Sequence, residues 1–165
     1  MKKWPTILLP VILAVAAYTS WQYAMADEGA SDEIRIRKVL AKGQQAIMTK
    51  DLRATMECVS GDYRDPNGMT KETLRLHALR AMRTVQGYEI RLDAPLITQE
   101  SEHRAIAETR VEVIAYVMDV PSEPLIFELV LEMAKEKERR WFVFPVTRWR
   151  VTSMSGLPIA GLQDF

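Results

Sequence analysis

Three side chains in the middle of the sequence are of types that carry acid–base chemistry: Tyr63, Asp65 and His77. Tyr63 and Asp65 lie in residues 59–68, a segment rich in the turn-forming residues glycine, proline and asparagine. In one interpretation Tyr63 buries its ring with its hydroxyl bonded, Asp65 caps backbone amides, and His77 is a boundary residue of a helix. In the other, all three are polar groups of a pocket, with His77 as a general base. The catalytic residues stay unassigned, and these three are the best candidates.

Other kinds of active site find little support in the sequence. His77 and His103 are its two histidines, and neither has a paired ligand nearby, so we expect no metal and no cofactor. The single cysteine, Cys58, excludes an intramolecular disulfide framework and is of a type that usually packs as a small buried side chain. No serine or cysteine has an evident base partner for nucleophilic catalysis.

Composition predicts one domain that does not bind nucleic acid. The chain has 165 residues, of which 48% are hydrophobic, enough for one domain with a real core. Lys and Arg number 22, as do Asp and Glu, so the net charge is zero. Because nucleic-acid binding depends on a basic surface, this balance argues against it.

The N-terminus has the pattern of an export signal. Lys2 and Lys3 precede an uncharged stretch, residues 4–26, which ends in Ala24-Met25-Ala26. A basic start, a short apolar run and small residues at this spacing are typical of a secretory signal peptide, here cleaved after Ala26. An uncleaved inner-membrane anchor is the alternative, although prolines and polar residues weaken a membrane span. Either way we expect residues 27 onward in the periplasm or secreted, with membrane contact only through residues 1–26.

Apolar residues at helical spacing predict three helices in the first half of the remaining chain. The first begins near Asp32, whose charge suits a first turn, and ends at Lys50. Asp51 is the predicted N-cap of a short second helix, and Thr70 that of the third. Gly87 is predicted to lie at the C′ position that follows the third helix.

From Tyr88 onward the apolar period changes from about four residues to two, which predicts strands. Pro95 interrupts the first of them. The predicted strands are residues 88–94, 104–120, 126–133 and 140–154, and the predicted turns are residues 100–103, 121–124 and the charged hairpin tip 135–139.

Helices followed by strands predict an α+β fold. Because the strands are joined by short connections, we expect a curved antiparallel meander of four strands or more, with three helices on its concave face. Such an arrangement encloses a pocket, for which the predicted lining is Tyr63, His77, Met82, Tyr116 and Trp149. The domain is predicted to span residues 27–155, followed by a loose tail, residues 156–165.

The order of these elements resembles the nuclear transport factor 2-like superfamily, in particular its bacterial SnoaL-like branch. Residues 60–68, Ser-Gly-Asp-Tyr-Arg-Asp-Pro-Asn-Gly, follow two helices, and the meander ends in Thr-Arg-Trp-Arg-Val at residues 147–151. The resemblance covers roughly residues 32–154. It implies a cone-shaped α+β fold with a central pocket and a homodimer through the sheet, while functions on this fold vary widely.

The catalytic residues of the superfamily do not carry over. Ketosteroid isomerase-like members have a tyrosine on the first helix, and residues 32–50 contain none. Epoxide hydrolase-like members need an Asp-Arg-Asp set. Asp65, Arg110 and Asp93 could form such a set, but nothing in their spacing requires it.

Three functions follow as hypotheses. The first is an exported non-catalytic domain that binds a small apolar or amphipathic ligand, or a partner protein, in a cone-shaped pocket. The second is a SnoaL-like isomerase, dehydratase or hydrolase that uses Tyr63, Asp65 and His77. The third is a membrane-tethered periplasmic assembly module.

Overall fold

The computed structural model describes residues 30–140 and 144–157. Two compact units divide the chain, residues 1–35 and residues 36–165. In the first unit, Asp32 and Arg35 form an ion pair of 4.0 Å across one turn of helix. The predicted signal peptide or anchor, residues 1–26, lies outside the described residues, as does the predicted tail beyond Leu157. Within the described ranges, no helix combines the length and apolar character needed to cross a membrane.

In the part of the chain that the structure describes, three helices precede six strands, which confirms the predicted α+β class. The helices are α1 (Asp32–Met48), α2 (Leu52–Glu57) and α3 (Lys71–Thr84). The strands are β1 (Gly87–Leu92), β2 (Leu96–Ser101), β3 (Arg104–Val117), β4 (Val120–Pro121), β5 (Leu125–Arg140) and β6 (Phe144–Ser155).

The predicted N-caps are confirmed, whereas the predicted end of α3 is wrong. The side chain of Asp51 accepts a hydrogen bond from Ala54 N at 2.9 Å, and that of Thr70 accepts one from Thr73 N. Gly87 does not cap α3 but starts β1. The backbone is already extended at Val85, so α3 ends before it reaches Gly87.

All strand pairs of the sheet are antiparallel, in the order β1-β3-β5-β6. β5 runs along one edge of β3, while β1 and β2 follow each other along the opposite edge, at residues 111–116 and 104–108 of β3. Pro95 lies in the gap between β1 and β2, as predicted from its missing N–H donor. The sheet therefore has the antiparallel pairing expected, with more strands than the four minimally predicted.

The core lies where the helices cover one face of the sheet. Alternate residues of β3, including Ala105 and Ala107, are buried, as are Leu131 and Met133 of β5. Because side chains alternate between faces of a strand, these residues share one face. They form a cluster with Ile36, Met56, Val59, Tyr63, Trp149 and Val151. Complete burial of a side chain as large as that of Met133 stabilises the fold by about 1.5–3 kcal/mol.

The charged segment at residues 135–139 is strand, and its prediction as a hairpin tip is wrong. β5 continues to Arg140 and pairs with β6, with Lys135 opposite Trp149 and Arg139 opposite Pro145. The charged segment therefore lies within β5 and not in a turn.

Charge alternation explains why these residues form a strand. Glu136 and Glu138 lie on one face of β5, where Arg148 and Arg150 of β6 meet them. Arg150 Nη2 is 3.1 Å from Glu138 Oε2, and Arg148 Nη1 is 3.5 Å from the same oxygen. Opposite charges across two strands stabilise their pairing, so a run with high charge is compatible with a strand here.

Candidate functional site

Residues 58–65, here called the strap, lie against β6 and continue the sheet beyond it. Val151 N donates to Cys58 O, and Ser60 N donates to Val151 O, both at 2.9 Å. Arg64 N donates to Thr152 O, also at 2.9 Å. The two bonds of Val151 form a parallel bridge between Val59 and Val151, and the bond of Arg64 attaches the other end of the strap to β6. The predicted turn segment is thereby fixed to the sheet, with Tyr63 carried between two anchored residues.

A polar network of Ser60, Glu136 and Arg150 connects the strap to β5. Ser60 Oγ donates a hydrogen bond to Glu136 Oε1 and accepts one from Asp62 N at 3.0 Å. Arg150 Nε lies 3.5 Å from Glu136 Oε2. Because Ser60 is fully buried, this bond satisfies a hydroxyl that would otherwise be costly.

Lys71, at the start of α3, extends the network to the helices. Its Nζ donates to Val59 O at 2.7 Å. Burial lowers the pKa of the Lys71 ammonium, and the nearby charge of Arg150 lowers it further. This network was not predicted from the sequence, in which the alternating charges at residues 135–138 were the available signal.

Tyr63 is a buried member of the core cluster, and its hydroxyl is unpaired. Its residue is 2% exposed, and it shares the cluster with Met133 and Trp149. Within the described part of the chain, Tyr63 Oη has no hydrogen-bond partner. Burial, with a smaller contribution from the Asp65 carboxylate, raises the pKa of Tyr63 to about 12. The phenol therefore stays protonated at neutral pH and is available as a donor.

Asp65 shapes the turn that follows the strap. Its residue is 6% exposed, and Asp65 Oδ1 accepts from Asn67 N at 2.9 Å and from Met69 N at 2.7 Å. Gly68, with a φ of +80°, closes the turn by donating from its backbone N to Asp65 O at 3.0 Å. These bonds agree with the interpretation in which Asp65 caps backbone amides of its own turn.

His77 is half-buried on α3. Across residues 30–140 and 144–157, no hydrogen bond or ion pair connects it to Tyr63 or to Asp65. The three candidate catalytic side chains are thus not linked as an acid–base pair, which requires hydrogen-bond reach between its members or to a substrate.

The five predicted lining residues do not all lie on one surface. Tyr63 and Trp149 share the core cluster, whereas Met82 of α3 is buried outside it. Tyr116 belongs to the opposite face of β3 from Ala107, and its Oη donates to Glu89 Oε2 at 3.3 Å. The shared surface of the candidate site is therefore that of Tyr63 and Trp149.

The described residues contain no group of three or more histidine, cysteine, aspartate or glutamate side chains placed to hold a metal ion. What the site offers is a single phenol in apolar surroundings. Such a group can donate one hydrogen bond to a bound oxygen atom.

No family model and no curated protein matches this sequence. Solved structures do match it. One is a nuclear transport factor 2-like superfamily protein from Salmonella enterica serovar Typhimurium, with a TM-score of 0.60, 17% identity, and coverage of 75% of this chain and 88% of the other. A ketosteroid isomerase-like protein from Erwinia carotovora atroseptica has a TM-score of 0.56, 14% identity, and coverage of 77% and 97%. A protein of unknown function from Mycobacterium tuberculosis has a TM-score of 0.60, 16% identity, and coverage of 74% and 73%.

These likenesses and the arrangement of three helices on an antiparallel sheet define a nuclear transport factor 2-like α+β fold. The predicted resemblance is confirmed at the level of the fold. Since unrelated functions share such folds, the role of the chain has to be argued from the site.

Proposed function

We propose that this chain is an exported, non-catalytic domain that binds a small apolar or amphipathic molecule between its helices and the buried face of its sheet. Export is supported by the pattern of residues 1–26, with a cleavage motif ending at Ala26. Binding is supported by the apolar lining of the buried face, which is the usual character of a small-molecule site.

The observation that carries the proposal is the unpaired hydroxyl of Tyr63. Burial of a polar group without a partner costs about 1–3 kcal/mol, so native structures rarely contain one without a reason. The other buried polar side chains of the described residues, Ser60, Asp65 and Thr109, all have hydrogen bonds. A bound molecule that accepts a bond from Tyr63 explains the exception.

The non-catalytic character is supported by the way the candidate side chains are used. Asp65 Oδ1 accepts bonds from two backbone amides of its own turn. Tyr63, whose pKa is raised to about 12, is a poor base and a weak acid at neutral pH. An isomerase, dehydratase or hydrolase needs a carboxylate or imidazole beside the bound molecule, and His77 has no hydrogen bond to either residue.

Native mass spectrometry of the protein purified from its own host tests the binding. We expect a stoichiometric small molecule that is lost from Tyr63→Phe and retained by Tyr116→Phe, whose hydroxyl lies on the other face of the sheet. A protein that carries no small molecule but a stoichiometric protein partner would replace the small-molecule proposal with a partner-binding role.

N-terminal sequencing of the exported protein tests the proposed cellular location separately. A mature chain that begins at Asp27 supports the signal peptide. A chain that begins at Met1 and sediments with membranes supports the tethered assembly module instead.

The homodimer through the sheet stays a prediction. The open face of β3 and β5 carries charges of both signs, with Arg110 directly opposite Glu128. Light scattering during size-exclusion chromatography measures whether the protein is a dimer in solution.

A further inference from the structure

We infer that the outer face of α3 docks on the surface of a membrane that contains anionic lipids, with arginines at the headgroups and a leucine at the boundary with the acyl chains. This surface, here called the basic face, consists of Arg75, Leu76, Arg80 and Arg83. The inference extends membrane contact, which the sequence predicts for residues 1–26 alone, to the folded domain. It does not depend on the molecule proposed to bind in the core.

The basic face lies on the side of α3 that points away from the core. On the inner side, the residues that are buried or pack against the core cluster are Leu74, Ala78 and Met82. Leu76, Arg80 and Arg83 follow one another at spacings of four and three residues, which places them together on the opposite side of the helix. All three are exposed, Leu76 to 55%. The basic face is therefore accessible in the part of the chain that the structure describes.

The charge of the chain is unevenly distributed, and α3 is strongly basic. It contains four basic residues and one acidic residue, Glu72, so its net charge is +3, whereas that of the whole chain is zero. Across residues 30–140 and 144–157, the side chains of Arg75, Arg80 and Arg83 form no ion pair and no hydrogen bond. Arg150 of β6, in contrast, is paired with two glutamates of β5. The positive charge of the basic face is therefore available to an external anion.

Leu76 distinguishes a lipid surface from other anionic partners. A single exposed leucine is ordinary on a protein surface, but this one lies one turn from Arg80 and beside Arg75. At the surface of a membrane, arginines bind lipid phosphates while a leucine on the same helix face enters the boundary with the acyl chains. A nucleic acid or a free phosphate would bind the arginines and leave Leu76 in water. The combination of leucine and arginines therefore favours a lipid surface.

Three arginines support weak and reversible docking. Each basic residue near an anionic membrane strengthens binding roughly fivefold, so three of them provide about a hundredfold. A single helix face of this kind therefore orients the domain on a membrane without inserting it.

A fluorophore on α3 tests the docking in the full chain. Nitrobenzoxadiazole, whose emission rises in an apolar environment, is attached to the Leu76→Cys variant, while the native Cys58 is buried and stays unlabelled. Met118→Cys, labelled in the same way, is the control, because Met118 is apolar and 83% exposed but lies in the turn between β3 and β4. The vesicles are of phosphatidylcholine alone, or of phosphatidylcholine and phosphatidylglycerol in a ratio of about three to one.

We expect the emission of labelled Leu76→Cys to rise with the vesicles that contain phosphatidylglycerol and to stay unchanged with phosphatidylcholine alone. The emission of labelled Met118→Cys should stay unchanged with both. Because salt screens the charges of lipid and protein, the rise at residue 76 should weaken as salt is added.

Charge variants of labelled Leu76→Cys assign the docking to the basic face. Adding Arg80→Gln and Arg83→Gln together should raise the lipid concentration at half-maximal emission about twenty- to thirtyfold. The matched control is Arg104→Gln with Arg110→Gln, which removes the same charge from two exposed positions of β3 and should leave that concentration nearly unchanged.

Several results would overturn the docking of α3 on lipid. One is a rise in emission from labelled Met118→Cys and none from labelled Leu76→Cys, and another is an equal effect of the two double variants. Tighter binding of polyglutamate than of vesicles in calorimetric titration, lost in Arg80→Gln/Arg83→Gln, would replace lipid by an acidic protein. Should that double variant not fold, the two labelled positions and the two lipid compositions still decide. None of these results bears on the molecule proposed to bind in the core.

Discussion

Ser60 and Glu136 are 76 residues apart in sequence, yet Ser60 Oγ donates a hydrogen bond to Glu136 Oε1. The bond joins the strap to the far half of β5, a part of the strand that extends beyond β3. Because Tyr63 follows Ser60 by three residues, the same bond holds the phenol in its buried position. The strap is therefore positioned by backbone pairing to β6, by this side-chain bond to β5 and by the bond from Lys71 Nζ to Val59 O.

Removal of this bond should destabilise the fold. Ser60→Ala leaves Glu136 with Arg150 alone and deprives Asp62 N of its acceptor, so we expect a loss of about 1–2 kcal/mol in the free energy of unfolding. Urea denaturation measures it. Ser101→Ala is the control, since Ser101 is exposed and its hydroxyl accepts only from His103 N at 3.3 Å. Equal stability of the two variants would show that the Ser60 bond contributes nothing.

Tyr63→Phe should have the opposite effect on the ligand-free protein. The substitution removes a hydroxyl that has no partner among the described residues and keeps the ring that fills the core. We expect the free energy of unfolding to rise by up to about 1 kcal/mol, or to stay unchanged, because no hydrogen bond is lost. Thermal unfolding of ligand-stripped protein tests this. A clear loss of stability would mean that the hydroxyl is bonded in solution, for instance to a buried water.

The sequence predicted the fold more completely than the site, because the fold follows from local patterns whereas the site depends on contacts between residues far apart in sequence. The change of apolar period at Tyr88 is a local signal, and so are the caps Asp51 and Thr70, all of which the structure confirms. Ser60 looked like an ordinary turn residue, since its partner Glu136 approaches only after the sheet forms. Pairings between distant residues leave no spacing in the sequence from which to infer them.

Charge misled the strand prediction for a related reason. Residues 135–139 are all charged, which is typical of a solvated segment, and only their pairing with β6 makes them strand. The alternation of sign at Lys135, Glu136 and Lys137 has the period of a strand, and Arg148 and Arg150 have the matching parity. A comparison of the charge patterns of neighbouring predicted strands would have indicated that residues 135–139 pair with β6.

Alkaline pH should weaken the fold through Tyr63. The unfolded phenol ionises near pH 10, whereas the folded one has a pKa of about 12. Between these values the unfolded state holds fewer protons, so stability falls as pH rises and is fully present below pH 10. The total loss is about 3 kcal/mol, of which urea denaturation from about pH 9 to about pH 11 captures roughly half.

Variants assign this pH dependence to its source. Tyr63→Phe should flatten the slope without abolishing it, because burial also raises the pKa of Tyr88. The remaining slope should decrease again in the Tyr63→Phe/Tyr88→Phe double variant. An unchanged slope in Tyr63→Phe would show that the hydroxyl is solvated in the folded protein.

Gly156 should tolerate no side chain where the chain leaves β6. Its φ is +87°, and a Cβ there would lie 1.9 Å from Glu128 O, an impossible contact with backbone. We expect Gly156→Ala to cost at least about 2 kcal/mol, from strain in the left-handed region and from displacement of the end of β6. Gly61→Ala is the matched control, because a Cβ at Gly61 meets no atom within 4 Å and no positive φ is needed there. Hydrogen exchange of the Leu131 and Met154 amides, which face each other across β5 and β6, should rise in Gly156→Ala and stay unchanged in Gly61→Ala. If both variants exchange alike, the close approach of Gly156 to Glu128 does not hold the end of β6 in place.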